Sequence, residues 1–133
     1  MEAPKSNLLA VSVVVTDSDG RVLLDRRDKE PDAGKWQLFA SYPRLDELPL
    51  TNAAERILRE AGIHEVESIT FSGKFYDAPD RHPGKYCVPL VFIARVREAP
   101  VTLTQRWFTR DELKDLPLAL DNEQTLTDLG FRD

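Results

Sequence analysis

Apolar and polar positions divide the chain into short segments with different periods. Leu8 to Thr16 is nearly all Val, Ala and Leu, which predicts a mostly buried strand. Asp17-Ser18-Asp19-Gly20 is a turn signal, and Arg21 to Arg26 carries a second apolar run. The two segments read as a hairpin. Asp28 to Lys35 is a polar loop containing Pro31 and Gly34. Between Ser41 and Ile63 the period changes. Ala54, Ile57, Leu58 and Ala61 fall at i, i+3, i+4 and i+7, the buried stripe of a helix. Thr51 is its expected N-cap and Gly62 its expected left-handed terminator. Glu55, Arg56, Arg59 and Glu60 fall on the opposite, charged face, and Glu47 lies on a loop able to fold back towards them.

Val66 to Tyr76 and Tyr86 to Val96 predict two further strands, separated by a loop from Asp77 to Lys85. Val101 to Phe108 predicts a last strand. Thr109 and Glu112 have the spacing of a capping box. Asn122 to Leu129 predicts a short closing helix with Leu126 and Leu129 inward. Periodicity alone gives a mixed α and β domain that opens on a hairpin.

Composition narrows the class. A length of 133 residues with 41% hydrophobic content suits one compact domain over residues 1–133. The net charge of −5 argues against broad nucleic-acid binding, so any attraction for phosphate must be local. Cys87 is the only cysteine, which excludes an internal disulfide framework and fits a reducing compartment. The longest apolar run, Leu8 to Val15, is too short to span a bilayer. With Glu2 and Lys5 before it and Thr-Asp-Ser-Asp after it, this run does not read as a signal peptide, so the expected location is cytoplasmic.

The stretch from Ser41 to Ile63 resembles the Nudix box. That pattern runs Gly, five residues, Glu, seven residues, Arg-Glu-apolar-any-Glu-Glu-any-Gly-apolar. The chain matches at Glu47, Ile57, Glu60, Gly62 and Ile63. It departs at Ser41 for the first Gly, at Glu55-Arg56 for Arg-Glu, and at Arg59 for the first Glu of the Glu-Glu pair. The flanks strengthen the resemblance. Gly34-Lys35-Trp36-Gln37-Leu38 is similar to the family's Gly-x-Trp-x-Leu lead-in, although Phe39-Ala40-Ser41 stands where Pro-Gly-Gly is usual. Arg81-His82-Pro83 is similar to a segment of ADP-ribose-type members. Arg106-Trp107-Phe108-Thr109 through Leu113 matches the strand-to-helix signature. Leu116 to Asn122 resembles a run in ADP-ribose hydrolases and Nudix-type transcriptional regulators.

The resemblance implies an α/β (α+β) Nudix fold, a mixed β-sheet core sandwiched between helices. It implies a degenerate member of the ADP-ribose pyrophosphatase-like branch. Relatives hold Mg²⁺ or Mn²⁺ on the helix carboxylates, hard cations that need oxygen ligands. Here the three matching positions, Arg56, Arg59 and Glu60, sum to +1 (two positive, one negative) where the family carries −3. Arginine offers only donors, and like charges about 4 Å apart repel by roughly 4 kcal/mol at a protein surface. Only Glu60 and Glu47 remain as catalytic or metal-binding candidates. Arg56 and Arg59 favour phosphate oxygens, and Arg27, Trp36 and Arg81 complete the ligand-binding set.

Three functions follow from the resemblance. One is weak or absent metal-dependent hydrolysis of a nucleoside diphosphate linked to another moiety. A second is full activity from a rearranged site using Asp77, Asp80 or Glu55. The third is a non-catalytic nucleotide sensor or interaction module. Each takes a nucleotide-like small molecule as partner, with no nucleic acid bound by this domain alone and no membrane. Many relatives pair as homodimers, and no stretch here singles out an interface.

Overall fold

The computed structural model describes residues 9–30, 32–76, 88–97 and 101–133. Strands β1 (Leu9–Thr16) and β2 (Val22–Arg26) form the expected antiparallel hairpin, with Val15 opposite Leu23. Its turn closes because the Asp17 carboxylate accepts the N–H groups of Asp19 and Arg21, and Gly20 supplies a φ of +80°. β3 (Trp36–Gln37) pairs with β2, and β4 (Phe39–Ser41) pairs with β1. Phe39-Ala40-Ser41 is therefore strand, with Ser41 opposite Val11. After helix α1 (Thr51–Glu60) come β5 (Val66–Phe75) and β6 (Val88–Val96). β6 lies parallel to β1 along its length, from Leu9 opposite Val88 to Thr16 opposite Arg95. β5 forms one edge of the sheet, and its register with β6 shifts twice.

β7 (Gln105–Phe108) pairs with β2 and starts later than the expected Val101. The preceding residues spend their polar groups locally: Gln105 N–H donates to Thr102 O, and Thr102 N–H donates to Gln105 Oε1. Such local bonds compete with a ladder. Helices α2 (Arg110–Leu113) and α3 (Asn122–Asp128) complete the described chain. The Thr109–Glu112 capping box forms as its spacing predicts.

Alternation along the central strands sends side chains into two cores. Val11, Val13, Val15, Phe92 and Ala94 meet Ala53, Ala54, Ile57 and Leu58 of α1. Val14, Leu24, Val91 and Phe108 meet Leu113, Leu118 and Leu126 on the other face. The sheet is thus layered between α1 and the α2–α3 segment, the expected sandwich. Among the described residues no helix is long and apolar enough to cross a membrane.

Candidate functional site

Helix α1 differs from expectation at its start and on its charged face. Leu50 occupies the N-cap and no side chain caps the helix; Thr51 is already its first residue. The C-terminus follows prediction. Gly62 has a φ of +85°, Ile63 N–H donates to Leu58 O, and Gly62 N–H donates to Arg59 O, the paired bonds of a Schellman motif.

Arg56 is the larger correction. It is not on the exposed face but only 3% exposed. The loop from Tyr42 to Glu47 folds over it and supplies what a buried cation requires. Its Nε donates to Glu47 Oε2 at 2.7 Å and its Nη2 to Glu47 Oε1 at 3.1 Å, a bidentate fork. Nη1 donates to Glu60 Oε1 at 2.8 Å, and Nη2 also to Tyr42 O at 3.0 Å. Glu47 in turn accepts the Arg44 N–H, so both its oxygens are engaged. The Arg56 bonds hold the Glu47 carboxyl below its ordinary value, against the upward push of burial. The expected i, i+4 pair between Arg56 and Glu60 is present, and Glu47 does fold back onto the helix.

The remaining candidates lie apart. Arg59 and Glu55 line a groove of about 500 Å³ between α1 and β5, with Ile63, His64 and Glu67. Arg27 lines a second cleft of about 450 Å³, together with Lys29, Gln37, Tyr42, Asp121 and Asn122. Its Nη1 donates to Gln37 Oε1 at 3.0 Å, which fixes the guanidinium beside the cleft. Trp36 serves the second core. It meets Phe108 edge-on with ring centroids 5.0 Å apart, and the Arg26 guanidinium lies 5.0 Å from its ring centre. Arg81, Asp77 and Asp80 lie outside the described residues.

Two cleft residues were legible only as part of a resemblance. Asp121 and Asn122 sit in the Leu116–Asn122 run, but nothing in its spacing assigns them to a cavity. Asn122 is buried and its Oδ1 accepts the Leu38 N–H at 3.0 Å, across 84 positions of sequence. Lys29 and Tyr42 carried no signal beyond their residue type.

The described residues do not fit the family's divalent ion. Among the described residues no three Asp, Glu, His or Cys side chains gather to hold a metal. The two surviving box carboxylates share one guanidinium, so a cation already bridges them.

A model of the NUDIX domain matches residues 6–129. The chain belongs to the NUDIX domain family. Its fold is shared with solved structures. The NUDIX domain of Shewanella oneidensis NrtR complexed with ADP ribose is 20% identical, with 93% of this chain and 86% of that one covered and a TM-score of 0.77. The chain spans 61% of a longer NrtR chain. A bifunctional NMN adenylyltransferase/ADP ribose pyrophosphatase from Francisella tularensis, complexed with AMP and a manganese ion, is 18% identical, with 95% and 42% covered and a TM-score of 0.66. A MutT NUDIX hydrolase from Burkholderia pseudomallei is 25% identical, with 92% and 98% covered and a TM-score of 0.69. No curated protein matches this sequence.

Proposed function

We propose that this NUDIX domain binds a nucleoside diphosphate linked to a second moiety, of the ADP-ribose kind. It turns this ligand over weakly or not at all by metal-dependent hydrolysis. The observation that carries the reading is Arg56, buried between Glu47 and Glu60. Its fixed positive charge meets both carboxylates that could otherwise attract a divalent ion.

The cleft beside β4 supports the binding half of the reading. Arg27 and Lys29 offer cationic donors for phosphate oxygens, while Asp121 and Asn122 offer further polar groups lining the same cleft. A cavity of about 450 Å³ suits a small nucleotide-like ligand. The NrtR and Francisella structures, with ADP ribose and AMP bound, point to the same ligand class.

Calorimetric titration of ADP-ribose, with all divalent ions removed, tests binding. Saturable binding is expected, weakened roughly tenfold or more in Arg27→Ala. Turnover of ADP-ribose, nucleoside triphosphates and dinucleoside polyphosphates with Mg²⁺ and Mn²⁺ tests catalysis. Brisk metal-dependent cleavage that disappears in Glu60→Gln refutes the proposal.

A further inference from the structure

Among the described residues, two other than glycine have left-handed backbone, and they bond to each other. Asp32 has a φ of +68° and Leu120 a φ of +55°. Leu120 N–H donates to Asp32 Oδ2 at 2.8 Å. Left-handed backbone is tolerated by Asp but is unusual for Leu, and it persists where surrounding contacts over-determine it. Those contacts are on both sides. Ala119 N–H donates to Trp36 O at 2.8 Å, and the Leu38 N–H donates to Asn122 Oδ1 at 3.0 Å. Lys35 Nζ lies 3.2 Å from Asp32 Oδ1 and holds the carboxylate from behind.

These bonds join two parts of the cleft described above. Arg27, Asp28 and Lys29 come from the loop closed at its base by Arg27 N–H to Lys35 O and Gly34 N–H to Arg27 O. Leu120, Asp121 and Asn122, distant in sequence, line the same cleft. Asp32 does not line the cleft; it reaches from the loop to Leu120, the strained residue among them. The middle bond of the three is the only one that uses the loop, since the others start from Trp36 and Leu38 on or beside β3.

We infer that Asp32 is a positioning residue for ligand binding: its carboxylate tethers Leu120 and so sets the distance between the cationic loop and the Asp121–Asn122 wall. The inference rests on the reading of this cleft as the ligand site. Its Leu120 bond, followed by Lys35, holds the Asp32 carboxyl below its ordinary range, as a retained tether requires. Without the carboxylate, Leu120 is free to leave left-handed backbone, and the wall that carries Asp121 and Asn122 shifts with it. The loop then meets phosphate at the wrong spacing from the rest of the ligand.

The test combines amide exchange with ADP-ribose titration. Asp32→Gly removes the carboxylate yet accepts positive φ, so it isolates the tether from backbone strain at position 32. It should speed exchange of the Leu120 amide, leave the β1 core amides unchanged, and weaken ADP-ribose about tenfold. Asp32→Asn keeps an accepting oxygen and tolerates the backbone, so affinity should stay near wild type. In the Asp32→Gly background, Leu120→Gly should bind more tightly than Leu120→Ala, since both lack the side chain but only glycine holds the left-handed turn unaided. Wild-type affinity in Asp32→Gly, or equal affinity in the two double variants, overturns the inference and leaves the cleft reading standing. A wild-type protein that ignores ADP-ribose overturns both.

Discussion

Replacing Arg56 by Met tests what the buried guanidinium does for the fold. Methionine keeps an unbranched side chain of similar reach but removes the charge and all four hydrogen bonds to Glu47, Glu60 and Tyr42 O. The cost falls mainly on Glu47. Its side chain is 12% exposed, so once unpaired it has little water to turn to. Glu60 is 57% exposed and rehydrates with little loss. Removing one member of a buried ion pair costs about 3–5 kcal/mol, against about 0–1 kcal/mol for an exposed pair. The lower figure is already a large share of the roughly 5–15 kcal/mol that stabilises a typical domain. Urea unfolding monitored by tryptophan fluorescence should show a lower midpoint with an unchanged slope. Glu60→Gln, by contrast, should shift the midpoint little. If Arg56→Met were no less stable than Glu60→Gln, the pair would not be supporting this region and the assignment of Arg56 as a structural cation would fail.

Acid should expose the same interaction. Because Glu47 is held below its ordinary 4.5 in the folded state, its contribution is present above that value and is lost as pH falls through the lowered one. Unfolding free energy should therefore drop more steeply as pH falls below about 4.5 in wild type than in Glu47→Gln. Parallel curves would count against it. After β7, Thr109→Ala removes the hydroxyl that accepts the Glu112 N–H and should cost about 1 kcal/mol in urea unfolding. No measurable loss would mean that the box adds nothing to α2.

Local rules made most of the fold legible. Gly62 ended α1 and Thr109 began α2 because each position is governed by bonds within a few residues. The nearly continuous apolar run of β1 likewise foretold a mostly buried strand. Arg56 was harder. Its spacing to Glu60 was visible, but its burial depends on where the Tyr42–Glu47 loop lands, which helical periodicity does not encode. That loop turned an expected surface charge into an interior one. The cleft was harder still. Arg27 was a candidate through the family resemblance, which places it at the end of the hairpin. The rest of the cleft lining includes Leu120 to Asn122, joined to β3 and its surroundings by tertiary contacts. Trp36, a ligand candidate through its lead-in motif, packs edge-on against Phe108 and is only partly buried.

A positive charge carried on the chain does not obey mass action. A dissociable ion would make this corner of the molecule depend on its free concentration and on whatever competes for it. The Arg56 guanidinium is present once per molecule, at every dilution, and no chelator extracts it. The loop from Tyr42 to Glu47 is therefore kept in place by a counter-charge supplied at synthesis, whatever the supply of magnesium or manganese around it.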